Sequence, residues 1–89
     1  MPTISMFYGI IIYMYYIDNK QHNLPHIHVE FNEYNAIVEI PSGRILEGDI
    51  PTKKMQLVQA WINIHEDDLM ADWKLAIRGE AIFKIEPLK

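Results

Sequence analysis

Ile10-Ile11-Ile12-Tyr13-Met14-Tyr15-Tyr16-Ile17 is the stretch that decides how this chain folds. All of it but Met14 is β-branched or aromatic, side chains that fit a pleated surface better than a helix, where they lose freedom against the preceding turn. At period two, Ile10, Ile12, Met14 and Tyr16 line one face and Ile11, Tyr13, Tyr15 and Ile17 the other. Both faces are apolar, so the segment reads as an interior strand or one whose second face a partner covers. With Phe7, Tyr8 and Gly9 in front, the run from Phe7 to Ile17 is eleven residues long. A membrane span needs about 20, so none is expected. The first lysine, Lys20, follows the run, unlike the basic start of a secretory signal. The expectation is a soluble, cytoplasmic protein.

Downstream, Asp18-Asn19-Lys20-Gln21-His22-Asn23 is polar and turn-prone, and Pro25 holds Leu24 out of the α region. A second strand is expected from His26 to Phe31. A turn at Asn32-Glu33-Tyr34-Asn35 leads to a third strand from Ala36 to Ile40. Pro41-Ser42-Gly43-Arg44 is a turn signal before a brief fourth strand, Ile45 to Glu47. Connections this short favour an antiparallel meander. Gly48, Asp49 and Pro51 then mark a change of state, with Thr52 or Asp49 available as a helix cap. From Met55 the apolar spacing becomes helical through Val58, Trp61, Ile62, His65 and Leu69. His65-Glu66-Asp67-Asp68 divides it into two helices, its acids at the start of the second, where the macrodipole favours them. The second helix presents Leu69, Met70, Trp73, Ala76 and Ile77 and ends at Gly79. The expected fold is α+β: an antiparallel sheet of about four strands, with the tail Ala81 to Ile85 available as a fifth, and two helices packed on one face.

At 89 residues the chain is a single domain, residues 1–89. Composition is that of an ordinary globular protein, 49% hydrophobic and 22% charged, which excludes disorder and fibre. The absence of cysteine excludes disulfides, thiolate metal sites and thiol catalysis. The net charge is −4, divided evenly between residues 1–44 and 45–89, and only two of eight basic residues are arginine. That balance weighs against a large phosphate-binding surface, so RNA is not a favoured partner.

Three of the four histidines lie together in His22-Asn23-Leu24-Pro25-His26-Ile27-His28-Val29-Glu30. A strand starting after Pro25 puts His26, His28 and Glu30 on one face, with Ile27 and Val29 in the core. Same-face neighbours sit roughly 7 Å apart at the Cα atoms, near enough for two imidazoles to share an ion. His22, on the preceding loop, is in reach as a third ligand. His22, His26, His28 and Glu30 are therefore the candidate ligands of a divalent transition metal. His22, His26 and His28 are equally candidates for acid–base catalysis, since histidine titrates near neutrality. The plain alternative is a solvated strand face with no chemistry.

Elsewhere the residues favour structure over chemistry. His65, Trp61 and Trp73 lie on the helical apolar stripe and read as core. Lys53-Lys54 near a helix start are a solvated pair or a small anion or RNA contact. Glu66-Asp67-Asp68 reads as helix-start chemistry. No phosphate loop or nucleophile elbow is present.

Met1-Pro2-Thr3-Ile4, Phe7-Tyr8-Gly9-Ile10, the string Asn23 to Glu30 with its Pro-His-x-His core, and a late helix carrying Trp73 together resemble a family of short bacterial proteins, the one catalogued as domain of unknown function forty-one-sixty. The resemblance covers nearly the whole chain. Members usually show two prolines before the first histidine of the string, and here Leu24 replaces one, leaving the histidines in place. The resemblance implies a gene paired with that of a second small domain, in toxin–antitoxin-like fashion, with this chain as the toxin-like or partner-bound member. Two functions follow: a toxin-like protein with a histidine-based nuclease or acid–base site at His26 and His28, or a non-catalytic regulatory or interaction module. Whether the chain is an enzyme stays open at this point. The uncharged aromatic strand, in a domain too small to cover both of its faces, predicts a protein partner or a homodimer.

Overall fold

The computed structural model describes residues 2–16 and 24–89. Its sheet has five antiparallel strands in chain order, β1 (Thr3–Phe7), β2 (Ile10–Tyr13), β3 (His26–Phe31), β4 (Tyr34–Glu39) and β5 (Ile45–Gly48), followed by α1 (Thr52–Ile64) and α2 (Glu66–Ile77). The α+β expectation holds, with one correction to how the sheet is filled. The fifth strand comes from the N-terminus, and the tail after Gly79 forms no strand.

β1 and β2 meet at Tyr8-Gly9, whose φ angles of +50° and +78° are both left-handed. A two-residue turn with two positive φ angles twists as the flanking strands do, so it closes a hairpin with little splay. Gly9 is thus the turn that divides two strands, not an interruption within one. Thr3 pairs with Tyr13 and Ser5 with Ile12, which leaves Ile4 as an extra residue in a bulge. β2 ends at Tyr13, earlier than the apolar run implies.

The inner face carries Ile10 and Ile12 of β2, Ile27 and Val29 of β3, and Ala36 and Val38 of β4, each at most 4% exposed. The helices pack their stripes on it. Met55, Val58, Trp61 and Ile62 are the buried residues of α1; Leu69, Asp72, Trp73 and Ala76 are those of α2. These steps of three and four place each set on one side of its helix. α1 begins after Pro51, whose carbonyl accepts the Met55 N–H at 2.9 Å; neither Thr52 nor Asp49 caps it.

His65 is the joint between the helices. Its N–H bonds to the Trp61 carbonyl and its carbonyl accepts from the Leu69 N–H, so one residue closes α1 and opens α2. Glu66, Asp67 and Asp68 fill the first turn of α2, where they favourably meet the helix dipole. At the other end Gly79 N–H bonds to Ala76 O and Glu80 N–H to Leu75 O, the paired bonds of a Schellman motif, with Gly79 at φ +74°.

The tail is stitched down at three points. Asp72 Oδ1 accepts the Phe83 N–H at 3.0 Å, Ile4 O accepts the Ile85 N–H at 2.8 Å, and the buried Trp61 indole donates to Glu86 O at 2.8 Å. It therefore runs beside β1 and against the helical layer, leaving the outer face of the sheet to other cover.

Candidate functional site

The outer face is ordered by register. One cross-strand row runs Met6, Ile11, Glu30, Asn35, and the next runs Tyr13, His28, Ile37, Glu47; His26 opposite Glu39 begins a third. Ile11, His28, Glu30, Ile37 and Glu39 are half-buried, while Met6, Asn35 and Glu47 are exposed. A shallow groove on this face is lined by Tyr13, His28, Asn35, Ile37, Glu47 and Gly48.

β3 places His26 and His28 as the alternation requires. Their ring centroids are 5.4 Å apart, and Ile27 and Val29 are fully buried on the opposite side. The two imidazoles nevertheless occupy different surroundings. His28 stacks on Tyr13 at 5.4 Å with planes 11° apart, and stands edge-on to Tyr15 at 4.4 Å. His26 is only 1% exposed, with Trp73 of α2 at 4.9 Å. A solvated histidine face does not describe this pair, because the first ring is buried, with Trp73 of α2 among its neighbours.

The His26 Nδ1 lies 2.7 Å from the Leu24 carbonyl oxygen. A carbonyl only accepts, so Nδ1 carries the proton and Nε2 is the acceptor nitrogen of the neutral ring. Beside His28, burial raises the Tyr13 phenol above its ordinary value, with Tyr15 and then the Glu30 charge adding to the effect.

Glu39, at the corner of the face, accepts a hydrogen bond from the Ser42 hydroxyl and pairs with Arg44 at 3.3 Å. The Ser42 bond, aided by the Arg44 charge, holds its carboxyl below the usual range. Among the described residues no group of three or more His, Asp or Glu side chains is placed to hold a metal ion. His22 lies outside the described residues. Lys54, read as a solvated or anion-binding side chain, instead donates to the Tyr8 carbonyl at 3.1 Å and covers the Phe31 ring, 4.9 Å from its centroid, clamping the β1–β2 turn. His65 is partly buried against Trp61 at 5.6 Å, with its Nδ1 4.0 Å from an Asp68 oxygen.

The tyrosine shell around His28 escaped residue-by-residue reading, since Tyr13 and Tyr15 precede it by more than a dozen positions. The available signal was the period-two alternation of the apolar run, which puts Tyr13 and Tyr15 on one face, although β2 itself ends at Tyr13. No helix among the described residues is long and apolar enough to cross a membrane. A family model described as Domain of unknown function (DUF4160) matches residues 9–74, from the first turn to within α2. No curated protein and no solved structure matches the chain.

Proposed function

The chain belongs to this family, Domain of unknown function (DUF4160), and we propose that it is a non-catalytic protein-interaction module whose outer sheet face receives a partner chain. The observation that carries this reading is the division of the sheet. Both helices pack their apolar stripes on the inner face, while Ile11, Ile37 and Tyr15 stay partly accessible outside and Met6 is 62% exposed. An apolar and aromatic sheet surface of that kind marks an interaction site. Burial of His26 also argues against the His26–His28 pair as a solvent-facing acid–base centre. The test is co-purification with the natural partner followed by mass measurement in light scattering. Ile37→Asn leaves the fold intact by circular dichroism and releases the partner; retention of the partner by this variant would overturn the reading.

One observation favours a second reading, the acid–base site of a toxin-like protein. The Leu24 carbonyl fixes the His26 tautomer with Nε2 as the basic nitrogen, the arrangement that prepares an imidazole to accept a proton or bind a metal. In this reading His26 and His28 act together, with His22 and Glu30 as further candidates for acid–base work or for a divalent transition metal. RNA cleavage by the purified chain that disappears in His26→Ala and His28→Ala, with the partner still bound, would establish it.

A further inference from the structure

Beyond the outer face, we propose that the outer edge of β1 is a separate docking site, where an extended segment of another protein adds to the sheet as a further strand. β1 and β5 are the two edge strands. β5 is short and carries Glu47, the usual protection of an edge. β1 has five residues and no charge, the kind of edge that invites pairing. Its backbone turns outward at two places. The Met14 N–H bonds to the Pro2 carbonyl across the end of the Thr3–Tyr13 pair, so Thr3 directs its own N–H and C=O away from β2. Phe7 and Ile10 close the Tyr8-Gly9 turn, and alternation makes Met6, opposite Ile11, the second such position. The tail answers this edge with one backbone bond, from the Ile85 N–H to the Ile4 carbonyl.

A cleft of about 320 Å³ opens between β1 and the tail, with Thr3 to Met6 on one wall and Lys84 to Pro87 on the other. Ser5 shows that the tail does not complete this edge. It is 7% exposed, and its Oγ has no hydrogen-bond partner among the described residues. Met6, on the same wall, leaves apolar surface open to solvent. Lys84 and Glu86 bring charge of both signs two residues apart, and neither makes an ion pair among the described residues. A segment with an acid and a base at alternate positions presents both from one face of a strand and meets the two charges together.

This chemistry decides among occupants. A second copy pairing through its own β1 brings no charged side chain on that strand to Lys84 and Glu86, and its tail competes for the same space. A nucleic acid has no alternating N–H and C=O groups to pair with Thr3 and Met6. A free amino acid is too short, since three residues of strand span about 10 Å. An extended peptide, apolar residues alternating with an acid and a base, meets the backbone, the apolar wall and the charges at once.

The experiment titrates the full chain with a short capped peptide in which valines alternate with threonine, glutamate, lysine and threonine, and follows amide shifts by NMR. The signals of Ser5, Met6 and Ile85 move, and a peptide with proline in place of the valines moves none of them. Met6→Pro removes an outward N–H without touching the β1–β2 ladder, and it lowers affinity about tenfold. If Met6→Pro does not fold, Lys84→Gln with Glu86→Gln reads the same site from the exposed tail and lowers affinity about threefold. Unchanged affinity in these variants, equal binding of the proline peptide, or shifts confined to Tyr13, His28 and Ile37 would each overturn the proposal. So would a dimer in light scattering that Met6→Pro splits and the peptide leaves intact, which assigns the edge to a second copy. Ile37→Asn leaves peptide binding unchanged, so this proposal and the outer-face reading fail separately.

Discussion

The His28 ring stands edge-on to Tyr15, with centroids 4.4 Å apart and planes 77° from each other. Tyr13 stacks on the same imidazole and meets Tyr15 edge-on at 5.5 Å, so the three rings form one packed unit on the outer face. Aromatic pairs in such geometries contribute about 0.5–1.5 kcal/mol each beyond simple burial. His28→Ala is therefore expected to cost about 1–3 kcal/mol in urea unfolding. His28→Phe keeps the packing and should recover most of it. If His28→Ala is neutral, the ring is a surface ornament and the groove lacks a rigid wall.

Gly48 pairs with Ala36 where β5 lies against β4. It sits at φ +85°, and a Cβ there would strike the Asn35 carbonyl oxygen and lie 2.9 Å from Ala36 Cα. Both obstacles are backbone, so no rotamer change relieves them. Gly48→Ala should cost about 1–3 kcal/mol from strain alone, more if β5 detaches from the sheet. Thermal unfolding measures the loss. Hydrogen exchange at Ile37 and Glu47 shows whether it begins at this edge.

How far the residues alone carry can be judged strand by strand. β3 was legible to the residue, because Pro25 marks its start and alternation of His26, Ile27, His28 and Val29 sets its faces. The helical stripe and its division at His65 were legible for a similar reason: period 3.6 persists on both sides of an acidic joint. β1 was hidden because its residues Thr3–Phe7 lead straight into the apolar run that holds β2, and only the Tyr8-Gly9 turn separates the two strands. The burial of His26 was hidden for another reason. Its ring meets Trp73, 47 positions away, and local pattern carries no information about which helix side chain packs beside a strand end. The tail's alternation around Ile82 to Ile85 proved misleading: Ile85 makes a backbone bond to β1, while Trp61 and Asp72 hold its neighbours against the helices.

That stitching makes the tail part of the core. Trp61 is fully buried, its ring 5.4 Å from Phe7 and its indole N–H bonded to the Glu86 carbonyl. Trp61→Ala should cost about 3–5 kcal/mol, a large share of the stability of a domain this small. Trp61→Phe retains much of the volume but leaves the Glu86 carbonyl without its donor, for a smaller loss of about 1–3 kcal/mol. Removing residues 84–89 should expose Ile4 and the indole together and approach the alanine variant in effect. Urea titration of all three variants tests the order. A truncated chain as stable as the whole would mean that the tail bonds contribute nothing net.

Asp72 gives the fold a pH dependence with a definite sign. Its carboxyl is 2% exposed; Oδ1 accepts the Phe83 N–H, while Oδ2 has no hydrogen-bond partner among the described residues. Burial pushes its pKa above the ordinary 3.8, the Phe83 bond opposes this, and the Asp68 charge adds to it. A carboxyl whose folded pKa is raised contributes most to stability when protonated, below its unfolded pKa. That contribution is lost as pH rises through the folded value. Asp72→Asn mimics the protonated form at every pH and keeps an oxygen for Phe83. The variant should therefore match the wild type in acid and exceed it in melting temperature at neutral pH, the gap opening as pH climbs above the ordinary carboxylate range. Glu39, whose pKa is lowered, acts in the opposite sense in both proteins and cancels from the difference. A gap that stays constant with pH, or that favours the wild type at neutrality, would mean that the ionised Asp72 is better accommodated beside the tail than its burial implies.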